Sequence, residues 1–319
     1  MAKYMMEFEK SVIQLEEKLE SLKKLDTSGK NEFADEIVYL EDQLGKLKKL
    51  VYGNLTPWQR ILVSRHPERP RALDFINHIF SDFTEVHGDR LYGDDAAVVA
   101  GFGHLEKKSY CLIGTQKGKN AKTNVHRNFG MPHPEGYRKA MRVMKTAEKF
   151  SLPIISFVDT QGAYPGIGAE ERGQASAIAN NIVEMINLKV PTIAIDIAEG
   201  GSGGALAISA SDRLIMLENA YYSVSTPEAC ASILWHDETK ASIAADSLKL
   251  TAKDLKGFGL ADYIVKEPLG GAHRDPETTF YDTRKIILDC LEDLNKKHPK
   301  VQKLIEAREK RVRNFGRIK

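Results

Sequence analysis

Two glycine-rich turns hold the residues of this chain best suited to chemistry. The first is Asp159-Thr160-Gln161-Gly162-Ala163-Tyr164-Pro165-Gly166, and the second is Glu199-Gly200-Gly201-Ser202-Gly203-Gly204-Ala205. Each follows an apolar, β-branched run, Ile154–Val158 and Thr192–Ile195, and each precedes a stretch that reads as helix. A strand that ends in glycines and opens a helix leaves backbone N–H groups aimed at whatever binds there. Glycine allows the tight turn and the close approach because it has no Cβ. Gly203 and Gly204 can therefore act as paired donors that polarise a carbonyl or hold an enolate oxygen.

The same residues admit other readings. Gly200-Gly201-Ser202-Gly203-Gly204 satisfies the G-x-S-x-G pattern of a serine nucleophile, with acidic residues and His236 and His273 following in the chain. The glycines could also serve only close helix–strand packing. Asp159 stands at a strand end, where it either caps a turn or walls a ligand crevice at the carboxyl ends of the strands. Lys117-Gly118-Lys119-Asn120-Ala121-Lys122, with His126, Arg127 and Asn128, is a basic polar loop. Lys117 and Arg127 in it could meet coenzyme phosphates, or the loop could simply be exposed. Neither a Walker A nor a G-x-G-x-x-G fingerprint occurs, which argues against ATP and NAD. No His, Asp or Glu grouping has metal-ligand spacing.

Around these turns the chain reads as α/β. Phe8, Val12, Leu15, Leu19 and Leu22 keep a 4-3-4-3 spacing that Phe33, Ile37, Leu40, Leu44, Leu47 and Val51 repeat, with a turn signal at Asp26–Asn31 between them. This predicts an antiparallel helical hairpin over residues 1–55, a packing or oligomerisation arm. Thr56-Pro57-Trp58 opens another helix, and Leu73, Ile76, Ile79, Phe80 and Phe83 mark one more. Ala97–Leu105 and Ser109–Gln116 read as a strand hairpin turning at Lys107-Lys108. Helices through Tyr137–Ala147 and Ala175–Ile186 then alternate with strands 154–158, 192–196 and 214–217. This is a layered core with at least partly parallel pairing. A main domain is expected over 56–295 and a basic helix or tail over 296–319. That tail has ten Lys or Arg against Glu306 and Glu309, a net +8 that leaves −6 on the remainder. Such a charge run is a solvated face or flexible tail, or else a dock for an anion or a partner.

The 319 residues carry a net charge of only +2, so no global nucleic-acid signal exists. The three cysteines, Cys111, Cys230 and Cys290, have no C-x-x-C spacing, which argues against a zinc ribbon and against a disulfide framework. No apolar run reaches membrane-spanning length, and the charged N-terminus lacks a signal core, so a cytoplasmic location is expected.

From the arm to about residue 275 the sequence resembles the α subunits of bacterial acetyl-CoA carboxylase carboxyltransferase. The resemblance is carried by Arg65-His66-Pro67, Gly88-Asp89-Arg90, Gln116-Lys117-Gly118, Arg127-Asn128-Phe129-Gly130-Met131-Pro132, Gly162-Ala163-Tyr164-Pro165-Gly166, Glu199–Ile208, Pro227–Trp235 and Glu267-Pro268-Leu269-Gly270-Gly271-Ala272-His273. One departure is Gln161, where the family often has proline. The resemblance implies a crotonase-like (ClpP/crotonase) fold, a spiral of ββα units. It implies carboxyl transfer from carboxybiotin on a biotin carboxyl carrier protein to acetyl-CoA, giving malonyl-CoA for fatty-acid synthesis. It also implies a zinc-ribbon-bearing β subunit in an α2β2 assembly, with biotin carboxylase in the larger complex, and no cofactor bound covalently by this chain. Carried over, Gly203 and Gly204 form an oxyanion hole on the biotin side. Gly162, Ala163, Tyr164, Gly166, Gly200, Gly201, Lys117 and Arg127 are the substrate-binding residues expected beside them. Competing readings are an acyl-CoA hydratase or isomerase of the same fold, using Glu170, Glu171 or Glu199, a serine hydrolase using Ser202, and a non-catalytic assembly subunit.

Overall fold

The computed structural model describes residues 4–26 and 33–316. The helices of the N-terminal arm are α1 (Lys10–Asp26) and α2 (Ala34–Gly53). Their heptad positions close a small core of Val12, Leu19, Leu40 and Leu44, with Phe8, Leu15, Leu22, Ile37, Leu47 and Val51 packed against it. Ion pairs Lys23–Glu41 (2.5 Å) and Lys48–Glu16 (2.8 Å) run in opposite senses along the pair, so the helices are antiparallel. The expected turn falls mostly on residues 27–32, outside the described residues.

Helix α3 (Pro57–Ser64) starts as expected. Thr56 caps it, its Oγ1 accepting from the Gln59 N–H, and Pro57 fills the first position. Helix α4 (Ala72–Ile79) is shorter than its spacing predicts. Phe80 is already extended, and Phe83 lies in strand β1 (Ser81–Glu85) instead of on a helix. Strand β1 pairs antiparallel with β2 (Val98–Leu105), which forms a hairpin with β3 (Lys108–Thr115). Ladder pairing with β2 outweighs a helical period that the sequence supports only locally. The hairpin turns at Glu106-Lys107, one residue before the expected place.

After β3 the chain runs through α5 (Ala121–His126), α6 (Pro134–Lys149), β4 (Ile154–Thr160), α7 (Ile167–Glu171) and α8 (Gln174–Asn187). Then come β5 (Thr192–Gly201), α9 (Ser202–Leu206), β6 (Arg213–Leu217), β7 (Tyr221–Ser223), α10 (Pro227–Trp235), α11 (Ala241–Leu248), α12 (Ala252–Gly257) and β8 (Tyr263–Val265). Helices α13 (Pro276–Lys297) and α14 (Val301–Arg313) end the described chain. The sheet order is β1-β2-β3-β4-β5-β6-β8, parallel from β3 onward, and β7 pairs with the far end of β5. Every residue of β4 and β5 is buried, as a parallel sheet covered on both faces requires. One core packs α4, α12 and α13 on one face, and a second packs α6, α8 and α9 on the other. This mixed α/β architecture is the crotonase-like fold that the resemblance implies.

The C-terminal basic segment is two helices interrupted at Pro299, not one. Nor is its charge run merely solvated, because Arg308 is fully buried.

Candidate functional site

Strands β4 and β5 run side by side and deliver the two glycine turns to one place. Strand β5 extends beyond the expected strand, so Gly200 and Gly201 belong to it, and α9 begins at Ser202. Thr160 pairs with Gly200. A Cβ on Gly201 would sit 2.1 Å from the Gln161 carbonyl oxygen, and one on Gly204 would sit 2.5 Å from the Ala163 nitrogen and 2.6 Å from the Gly162 carbonyl carbon. The turns touch backbone to backbone, and only glycine fits between them. Gly203 differs, since its nearest neighbour is the Ile178 side chain at 3.4 Å. The Gly203 and Gly204 N–H groups lie in the first turn of α9, where a helix supplies its own amides with no acceptor.

The first turn is held from within and from outside. Thr160 Oγ1 donates to the Gly162 carbonyl at 2.7 Å and accepts from the Gly162 N–H at 3.1 Å. The Tyr164 N–H donates to the Pro132 carbonyl, and Gln174 Nε2 donates to the Tyr164 and Pro132 carbonyls at 3.0 and 2.9 Å. The Tyr164 ring stacks on His133 with centroids 4.2 Å apart. Gly166 sits so close to this ring that a Cβ there would be 2.4 Å from it.

Beneath the turns runs a buried row of charges. Lys117 Nζ pairs with Asp159 Oδ1 at 2.6 Å and with Glu199 Oε2. Arg71 takes the other Asp159 oxygen at 2.9 Å. Arg65 Nε and the Tyr221 hydroxyl both donate to Glu199 Oε1, at 2.7 and 2.6 Å, and Arg65 also holds Glu228. Burial alone would push the Glu199 carboxyl up. The Lys117 and Arg65 charges, with hydrogen bonds from Lys117 and Tyr221, instead hold it well below the usual carboxylate range. Asp196, four residues before Gly200 on β5, is the opposite case. It is fully buried and, among the described residues, only the Ala198 N–H donates to its side chain, so burial raises it far above the usual range, and the Asp159 charge adds to this. A cavity of about 220 Å³ opens over the row, lined by Arg65, Arg71, Lys117, Asn124, Phe129, Gln161 and Glu199.

The structure brings some sequence-expected residues together and separates others. Gly162, Ala163, Gly200, Gly201, Gly203, Gly204 and Lys117 converge here. Arg127 does not join them. Its Nη1 donates to the Ala96 carbonyl at 2.8 Å, and it lines a separate polar cleft of about 460 Å³ with His87, Asp94 and His133. The basic loop is therefore not one phosphate cradle. Asp159 is no turn cap but a buried ion-pair partner. Ser202 is exposed, with φ +53°, and among the described residues no hydrogen bond joins it to a histidine. His236 caps α10, and His273 stacks on His66. A Ser–His–acid relay is not assembled. Glu170 and Glu171 are exposed on α7, and Glu199, locked as an ion pair, has no proton to give as a general acid. Arg65, Arg71 and Tyr221 escaped the reading of residue spacing, because charges in helical and loop segments look like solvated ones and Tyr221 lies in a strand of three residues. Only the Arg65-His66-Pro67 block marked one of them.

A family described as acetyl co-enzyme A carboxylase carboxyltransferase-like matches residues 5–316. The acetyl-coenzyme A carboxylase carboxyl transferase subunit alpha of Geobacter metallireducens is 52% identical over 318 residues, 99% of this chain and 99% of that protein. The subunit of the same name from Aquifex aeolicus is 47% identical over 314 residues, 98% and 97% of the two chains. Among solved structures, the transcarboxylase 12S hexamer with methylmalonyl-coenzyme A and methylmalonic acid bound aligns with a TM-score of 0.57 at 19% identity, covering 70% of this chain and 41% of that one. A Pseudomonas malonate decarboxylase hetero-tetramer in complex with coenzyme A aligns at 0.55 and 16%, covering 70% and 90%. These two likenesses speak for the fold alone. Matched along nearly its whole length and about half identical to its relatives from end to end, the chain belongs to the acetyl-coenzyme A carboxylase carboxyl transferase alpha-subunit family.

Proposed function

We propose that this chain supplies the biotin side of a carboxyltransferase site, moving the carboxyl group of carboxybiotin on a carrier protein to acetyl-CoA. The family is that of a carboxyl-transferring enzyme component, one subunit of a larger assembly. One observation carries the reading: two glycine turns meet backbone to backbone at the carboxyl ends of β4 and β5, with α9 starting between them. As the N1–carboxyl bond of carboxybiotin breaks, the ureido oxygen takes up negative charge. The Gly203 and Gly204 N–H groups suit that charge, and losing one such donor typically costs about 100- to 1000-fold in rate. The biotin enolate then removes a proton from the acetyl methyl group, and the resulting carbon attacks the released CO2, yielding malonyl-CoA and biotin. No side chain need act as base, which fits a site whose Asp159 and Glu199 carboxylates are fixed in ion pairs. Tyr164 and Gly166 complete the wall of the site.

A partner of the β-subunit kind, holding the acetyl-CoA carbonyl, completes this reading. Strand β7 pairs with Glu199–Gly201, and the segment after it exposes Val224 (77%), Ile233 (71%) and Leu234 (60%). Apolar surface of this kind beside a half-site supports a docked subunit. The test is carboxyl transfer in reverse, from malonyl-CoA to a biotin analogue, by the chain alone and with a candidate β subunit. Acetyl-CoA formed only with both chains is the expected result. No turnover by a correctly assembled complex would overturn the reading.

A further inference from the structure

Lys117 has a place in the fold that its basic surroundings hide. Its ammonium group touches Asp159, the penultimate residue of β4, and Glu199, at the root of the second turn. Those carboxylates begin the two turns whose backbones meet at Gly204. The lysine is only 11% exposed, and the backbone of Gly130 lies on its stem, so that a Cβ there would be 2.6 Å from Lys117 Cγ. Its own backbone is anchored by Gln116, which donates to the Lys117 carbonyl at 2.7 Å and accepts from the Leu73 N–H at 2.8 Å. An ammonium carries three donors; here one is given to Glu199 and the same group is held against Asp159 as an ion pair. A lysine so engaged is poorly placed to leave for a coenzyme phosphate.

We propose that Lys117 is a positioning residue that staples the roots of the two glycine turns and so fixes where the Gly203 and Gly204 donors stand relative to the first turn, without meeting substrate. The inference rests on the functional reading above. An error of about 1 Å in a positioned group costs on the order of 100-fold in rate, so the staple acts on turnover and not on affinity.

The test uses Lys117→Met and Lys117→Arg in the assembled complex with a β subunit. Lys117→Met is expected to lower kcat about 10- to 100-fold while KM for malonyl-CoA stays within about 2-fold. Lys117→Arg, whose fork can still bridge two carboxylates, is expected to recover part of kcat. Amide hydrogen exchange on the free chain supplies a readout apart from activity, with residues 159–166 and 199–206 exchanging faster together in Lys117→Met. A raised KM with unchanged kcat would make Lys117 a substrate contact and overturn the proposal, as would unchanged exchange in both turns. Should Lys117→Met fail to fold, the Lys117→Met/Glu199→Gln double variant removes the stranded charge, and native exchange plus native kcat there would equally overturn it. A wild-type complex that shows no carboxyl transfer would sink the functional reading, while the exchange experiment would still decide the staple.

Discussion

Gly203 and Gly204 are adjacent and identical in type, yet their surroundings predict different tolerance. A methyl group on Gly203 would meet only the flexible Ile178 side chain, whereas on Gly204 it would enter the backbone of Gly162 and Ala163. Gly203→Ala is expected to keep the turn geometry and most turnover. Gly204→Ala is expected to force the turns apart and lower kcat at least 100-fold, the scale of a lost oxyanion donor. The larger Gly204→Val cannot be accommodated without moving the first turn, so its effect reaches local structure as well as rate. Steady-state kinetics of the complex, with circular dichroism of each variant, checks the contrast. Equal losses at both positions would count against it. Ser202→Ala should retain most activity, since the hydroxyl has no relay. Complete loss there would bring back the hydrolase reading.

At the scale of elements, α14 has a structural task that its charge conceals. Arg308 forms a bidentate pair with Asp212 at 2.8 and 2.7 Å and donates to the carbonyls of Met185, Ile186, Leu188 and Val190. Those carbonyls belong to the last turn of α8 and the link that follows it, and Asp212 also accepts from the Thr192 N–H at the start of β5. The helix thus clamps α8 and β5 together. Arg308→Met should cost about 3–5 kcal/mol, because it strands a buried carboxylate and several acceptors. Urea unfolding would measure this, and a loss below about 1 kcal/mol would show the clamp to be dispensable. Element types were widely legible. The heptad arm, the Thr56-Pro57 cap and the apolar runs of β4 and β5 are local signals. The C-terminal half of the expected helix through Phe83 was not, because β1 exists only by pairing with β2.

Across the whole molecule, the arm is tied to the core near a pair of stacked histidines. His66 and His273 lie 3.7 Å apart between centroids, Tyr4 packs edge-on against His66, and Arg274 bonds Glu16 of α1. Burial holds His66 down to about 4. Burial, with the charges of His66, Arg69 and Arg274, holds His273 down to about 3. Both are therefore neutral in the fold where the unfolded chain, titrating near 6.5, already takes up protons. The stability they contribute is complete above about pH 6.5 and is lost as pH falls through about 4 and then about 3. Calorimetry should show a falling thermal midpoint across that window, with a smaller drop in His273→Phe, which keeps the stacking and removes one protonation site. An unchanged pH dependence in that variant would rule out the pair as its source.

The sequence by itself determined that the chain is α/β, that a helical hairpin precedes the main fold, and that two glycine turns follow apolar strands. These depend on short-range patterns, namely periodicity, caps and glycine placement, which leave their mark within a few residues. Only the tertiary structure decided that Lys117 faces Asp159 and Glu199 while Arg127 turns away to Ala96. It alone decided that Asp159 is an ion-pair partner, and that a tail arginine is fully buried. Each outcome depends on residues tens of positions apart meeting across parallel strands. A charged side chain carries no local sign of whether its partner will be water or a buried carboxylate.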